Sequence, residues 1–199
     1  MHRLRRECPW DAQQTHRSLV TYLIEETYET VEALEAGDDT HLVEELGDLL
    51  LQVVFHATIA EEREAFSLDD VATGVADKLI RRHPYVFADG EVPTDLDATW
   101  EQRKAAEKGR RSVLEGIPTG MSAMARGAKI ISRAASRGVE LDLPDEPISE
   151  PELRTGLLGL LARAKASDLD PEQALRDVVR DLETTVTDHE GRGARTAAT

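Results

Sequence analysis

Leu42, Leu46, Leu49, Leu50, Val53, Val54 and Ala57 recur at the three- and four-residue spacing of an α-helix. A stripe this broad predicts a helix, from about 40 to 63, that is covered on more than one side and stands at the centre of the fold. A second stripe, Leu19, Leu23, Thr27, Val31 and Leu34, predicts a helix over about 15–36, stopped by Gly37-Asp38. Ser67-Leu68-Asp69-Asp70 reads as a helix start, and Val71, Val75, Leu79 and Ile80 carry that helix to about Arg82, before His83-Pro84.

The rest of the chain follows the same period. A charged helix is expected over about 99–111 and another over about 122–137, and two apolar-periodic segments lie beyond Pro144, Pro147 and Pro151. The first fourteen residues, with Pro9, read as an irregular arm in which Trp10 needs a pocket to cover it. Aromatic residues make up only 4% of the chain while Ala, Leu, Glu and Arg abound, so the fold class is all-α.

Thirty-nine acidic against 24 basic residues leave a formal charge of -15, which repels a phosphate backbone and argues against nucleic acid as a partner. Purely apolar runs such as Leu49 to Leu51 fall far short of the roughly 20 residues that span a bilayer. With one cysteine, Cys8, and no long apolar leader, a reducing cytoplasm is the expected compartment and no membrane partner is expected.

Glu26 and Glu29 lie three apart on one predicted helix, and Glu45 and Asp48 on the next, so each pair shares a face. Two antiparallel helices joined by the turn at Gly37 can bring the four carboxylates around one point, as a hard divalent cation requires. Magnesium is the natural occupant, with manganese its substitute. On spacing alone, a solvated acidic face is the commoner outcome for such runs. Gly47 argues the other way, because glycine inside a helix costs about 1 kcal/mol relative to alanine and is usually kept for a close approach or a site. Lys78, Arg81, Arg82 and Lys104 supply cations suited to phosphate oxygens, or else offset helix dipoles. His16, His41, His56 and His83 are scattered without ligand spacing. There is no glycine-rich phosphate loop and no serine-hydrolase elbow.

Cys8-Pro9-Trp10-Asp11, Leu23 to Glu29, Glu45-Leu46-Gly47-Asp48-Leu49-Leu50, Asp77 to Pro84 and Trp100 to Lys104 occur in the order and spacing of the MazG family, which the chain resembles over residues 1 to about 112. The resemblance implies an antiparallel helical bundle of the all-α nucleoside triphosphate pyrophosphatase type, completed by dimerisation into a homodimer. It implies hydrolysis of nucleoside triphosphates between the α and β phosphates, to a monophosphate and pyrophosphate, with clearance of non-standard nucleotides as the expected role. The family's metal motif falls on Glu26, Glu29, Glu45 and Asp48, and Lys78, Arg82, Trp100 and Lys104 match its phosphate or base contacts; the residues themselves add Arg81, with Trp10 a weaker candidate, and metal-assisted hydrolysis makes Glu26 or Glu29 the expected general base. A non-catalytic homologue that binds metal and nucleotide is the rival reading.

Longer members carry two such modules. Here Glu152-Leu153-Arg154-Thr155 echoes Glu45-Leu46-Gly47-Asp48 with Thr155 in place of the aspartate. The resulting division is a catalytic domain over 1–112, a helix and Pro-rich linker over 113–151, a degenerate second module over 152–187 and a disordered tail over 188–199.

Overall fold

A computed structural model describes residues 1–196, of which 97, 98 and 193–196 are described by backbone alone. The described residues are helical, with no strand among them, as composition and periodicity predict. They form two units, Met1–Gly90 and a second beginning at Glu91. Among the described residues no helix is long and apolar enough to cross a membrane.

In the first unit the amino-terminal arm is not irregular. It forms α1 (His2–Glu7) and α2 (Pro9–Gln13). Pro9 opens α2 instead of breaking it, because the first helical turn has no use for the N–H that proline lacks. Arg5 holds the arm down: Nε and Nη2 donate to Glu62 Oε1 and Oε2 at 2.8 and 2.6 Å, and Nη1 donates to the carbonyls of Asp11 and Gln14. Trp10 finds no enclosing pocket. It meets Tyr22 and Phe55 edge-on and remains 48% exposed.

Helices α3 (Val20–Ala36) and α4 (Asp39–Glu61) form a tight hairpin. Gly37 adopts φ 68°, the left-handed conformation that glycine takes without penalty, and closes α3. The next residue, Asp38, opens α4 by accepting from the backbone N–H groups of Thr40 and His41 at 3.0 and 3.1 Å. α5 (Leu68–Arg82) starts at the expected cap, a reciprocal box between Ser67 and Asp70, and packs on α4. The short α6 (Pro84–Phe87) follows.

Burial on the hairpin departs from the predicted stripes. Leu19, Thr30 and Ala33 are the buried positions at and along α3, whereas Leu23, Val31 and Leu34 are exposed. On α4, Gln52, Phe55, Ala57 and Ala60 are buried, while Val43, Leu46 and Leu50 stand exposed. The apolar stripes therefore turn outward over much of their length on both helices. Among the described residues Gly47 admits no close neighbour: nothing there lies within 4 Å of the place its Cβ would occupy.

His16 and His56 stack at 5.1 Å, with their Nδ1 atoms 2.8 Å apart, and Arg63 Nη2 lies 3.1 Å from His16 Nε2. An arginine can only donate, so His16 accepts at Nε2, carries its proton on Nδ1 and donates to His56. Burial, then the neighbouring His16, hold the proton affinity of His56 below the usual histidine range. The unfolded chain then binds the proton more tightly than the folded one, so stability present above the ordinary histidine value, about 6.5, is lost as pH falls below it. In melting curves between about pH 7 and pH 5, His56→Phe is expected to flatten that slope; a slope equal to the wild-type one assigns it to other groups.

The second unit contains α7 (Leu96–Glu107), α8 (Ala123–Ser136), α9 (Glu150–Ala166) and α10 (Pro171–Thr196). Its core brings Ile130 and Ala134 of α8 together with Val179 and Val186 of α10 and with Val113 and Ile117. At Gly127 the two helices approach so closely that a Cβ would lie 3.2 Å from a Val179 methyl. Arg133 is buried and donates to the carbonyls of Val113 and Glu115 at 3.1 and 2.8 Å, with Nε 3.3 Å from Glu101 Oε2.

Pro151 sits in the first turn of α9, within the helix and not in the linker, and Glu152 caps that turn by accepting from Ser149 N–H and Oγ. The disordered tail expected from 188 is helical as far as Thr196, and Glu190 Oε1 accepts from Val113 N–H at 2.7 Å. Residues 197–199 lie outside the described residues.

Candidate functional site

The hairpin brings three of the four predicted carboxylates together. Glu26, Glu29 and Glu45 each offer one oxygen within 4.8 Å of the other two. Helical spacing does this locally, since residues three apart on α3 share a face, and the two-residue turn at Gly37-Asp38 lays the start of α4 beside them. Asp48 stands outside this tight group, yet its charge acts on Glu26 more strongly than that of Glu29 or Glu45.

Burial grades the cluster. Glu29 is exposed and Glu26 half-buried, while Glu45 is only 5% exposed. Glu45 Oε2 is buried with no hydrogen-bond partner, and Glu45 Oε1 lies 2.8 Å from His41 Nε2. A buried carboxylate oxygen without a donor is costly, and a cation is the partner its chemistry calls for. Burial, followed by the charges of Asp48, Glu29, Glu45 and Glu25, holds the Glu26 carboxyl above the usual glutamate range.

The predicted substrate contacts divide between the units. Lys78, Arg81 and Arg82 lie on α5 in the unit that holds the carboxylates, with Lys78 half-buried, Arg81 exposed and Arg82 buried. Trp100 and Lys104 lie on α7 in the second unit, where Lys104 Nζ pairs with Glu101 at 2.5 Å. Burial alone would raise the Glu101 carboxyl, but the Lys104 hydrogen bond and the charges of Lys104, Lys129 and Arg133 hold it below the usual range. Trp10 lies on α2 in the first unit.

His41 is the residue that sequence reasoning passed over at this site. The signal was its i, i+4 relation to Glu45, hidden while the four histidines were judged by ligand spacing.

Fold and site together define the class: an all-helical protein with a carboxylate cluster set on a helical hairpin. Residues 14–87 match the MazG nucleotide pyrophosphohydrolase domain. The chain is 40% identical over 193 residues to the nucleoside triphosphate pyrophosphohydrolase/pyrophosphatase MazG of Thermotoga maritima, covering 87% of this chain and 75% of that one. It is 49% identical over 181 residues to an uncharacterized 26.1 kDa protein of Streptomyces cacaoi, covering 88% and 74% of the two chains. The nucleoside triphosphate pyrophosphohydrolase of Mycobacterium tuberculosis is 42% identical over 186 residues, and there this chain spans 53% of its relative's length. Among solved structures, a mazG-related protein from Thermotoga maritima aligns at TM-score 0.45 with 28% identity, over 52% of this chain and 91% of that one. The chain belongs to the MazG family of nucleotide pyrophosphohydrolases, which are hydrolases.

Proposed function

We propose that the protein hydrolyses nucleoside triphosphates between the α and β phosphates, releasing a nucleoside monophosphate and pyrophosphate, in the cytoplasm. The observation that carries this reading is the convergence of Glu26, Glu29 and Glu45, the last of which keeps an oxygen, Oε2, buried without a partner. With Asp48 they form the oxygen-rich set that suits magnesium, or manganese in its place. When bound, such a cation neutralises triphosphate charge and makes water a better nucleophile.

The chain's own groups supply the rest. Glu26 or Glu29 takes a proton from the attacking water as its oxygen bonds to phosphorus and the α–β bridging bond breaks. On α5, Lys78, Arg81 and Arg82 bind phosphate oxygens, and Trp10, half-exposed beside Tyr22, is an aromatic surface available to a base.

The exposed apolar residues of α3 and α4 support a homodimer in which two hairpins pair, since Tyr28 and Val43 are 71% and 72% exposed on the single chain.

Incubation with magnesium and a panel of ribo- and deoxynucleoside triphosphates, with pyrophosphate and orthophosphate assayed separately, tests the reaction. Monophosphate and pyrophosphate in equal amounts are expected. Diphosphate with orthophosphate, or no turnover across the panel, would overturn it. Lys78→Ala is expected to raise KM about tenfold or more with helicity unchanged, one charge-assisted phosphate contact being worth roughly 1.5–3 kcal/mol; an unchanged KM reduces Lys78 to a cation at the end of a helix.

A further inference from the structure

We infer that His41 is a positioning residue of the proposed metal site, holding one oxygen of Glu45 so that the carboxylate meets a cation through the other oxygen alone. The inference rests on the metal reading above and concerns a residue with no part in the carboxylate motif.

Its basis is the asymmetry of Glu45. Oε1 lies 2.8 Å from His41 Nε2, one helical turn earlier on α4, while Oε2 is buried without a partner. The carboxylate has little room to do otherwise, because Glu45 is almost wholly buried while the imidazole keeps an exposed edge. The backbone beneath is held independently, since the Asp38 carboxylate accepts from the main-chain N–H of His41 itself.

A carboxylate pinned by one oxygen is a single-oxygen ligand. Magnesium and manganese, which take six ligands in near-octahedral geometry, accept such a ligand readily. Calcium takes six to eight oxygens and favours carboxylates that give both. His41 therefore sets affinity for the small cation and selectivity against calcium. Groups that orient metal ligands from behind commonly account for ten- to a hundredfold in affinity.

The test uses the full chain and manganese as the probe, with free ion measured by electron paramagnetic resonance and calcium as competitor. His41→Ala is expected to weaken manganese binding about tenfold or more and calcium binding distinctly less, so that the preference for manganese narrows. His41→Gln is expected to recover most of both, because the glutamine amide nitrogen stands as many bonds from the backbone as His41 Nε2. The Asp38 cap uses only main-chain N–H groups, so both variants keep it, and circular dichroism without metal verifies the fold.

Wild-type manganese affinity and wild-type selectivity in His41→Ala overturn the role of His41 and leave the metal site standing. Equal weakening for both cations with no recovery in His41→Gln also overturns it, since a general loosening of α4 would do the same. Absence of manganese binding to the wild-type chain overturns the metal reading itself, and the inference with it.

Discussion

Glu29→Ala and Asp48→Ala are each expected to abolish pyrophosphate release while the protein stays helical. A cation set against developing phosphate charge contributes several kcal/mol, and roughly 4 kcal/mol is a thousandfold in rate. The fold survives because Glu29 is exposed and Asp48 only half-buried, so neither removal opens the core. Alanine is also the better helix former.

The metal-free variants should melt at or above the wild-type temperature, and the sign follows from Glu26. Burial and its acidic neighbours hold its carboxyl above the usual range, so the folded state binds that proton more tightly than the unfolded one. Stability is therefore lost as pH rises past the ordinary glutamate value, and removing a neighbouring charge returns part of it. Magnesium should raise the wild-type melting temperature at neutral pH and leave that of the variants nearly unmoved. Wild-type rates of pyrophosphate release from either variant would sink the assignment of the four carboxylates.

Val43→Glu combined with Leu50→Glu is expected to dissociate the proposed dimer into a folded 22.0 kDa monomer. Both residues are exposed on the single chain, on the α4 stripe that also carries Leu46, so the substitutions cost the monomer little. In a paired interface they would bury two like charges per chain without partners, at a cost of several kcal/mol. Sedimentation equilibrium and far-ultraviolet circular dichroism, measured together, distinguish dissociation from unfolding. A wild-type protein of 22.0 kDa at every concentration, or a double variant that sediments as wild type, would remove the dimer.

The elements that were legible beforehand were those set by local rules. Ser67 with Asp70, Ser122 ahead of α8, and Gly37 closing α3 each act within a few residues, so their helix boundaries fall close to where cap chemistry puts them. The pairing of Glu26 with Glu29 is likewise a property of helical spacing. Proline was misjudged twice for the opposite reason: Pro9 and Pro151 are compatible with a helix when they occupy its first turn, and the residue type does not say which turn it will occupy.

Position relative to distant residues was not legible. Leu23, Val31 and Leu34 form a proper helical stripe, yet Thr30 and Ala33 are what the single chain buries, because the stripe marks an apolar face without naming what covers it. Glu152 echoes Glu45 in sequence, but the former caps the first turn of α9 while the latter lies inside α4. Their carboxylates face different needs: one satisfies the backbone and side chain of Ser149, and the other is left with a buried oxygen unpaired.

From the residues alone came the helices α3, α4, α5 and α8, the turn between α3 and α4, and the pairing of acids three apart on each helix of the hairpin, because hydrogen bonding and side-chain period act over one or two turns. Only the tertiary structure decided that Glu45 is the buried member, that His41 lies against one of its oxygens and leaves the other bare, and that Asp48 acts on Glu26 from outside the tight group. Burial and charge coupling depend on the packing of α3 against α4, and no spacing along one helix can encode how closely the other will lie.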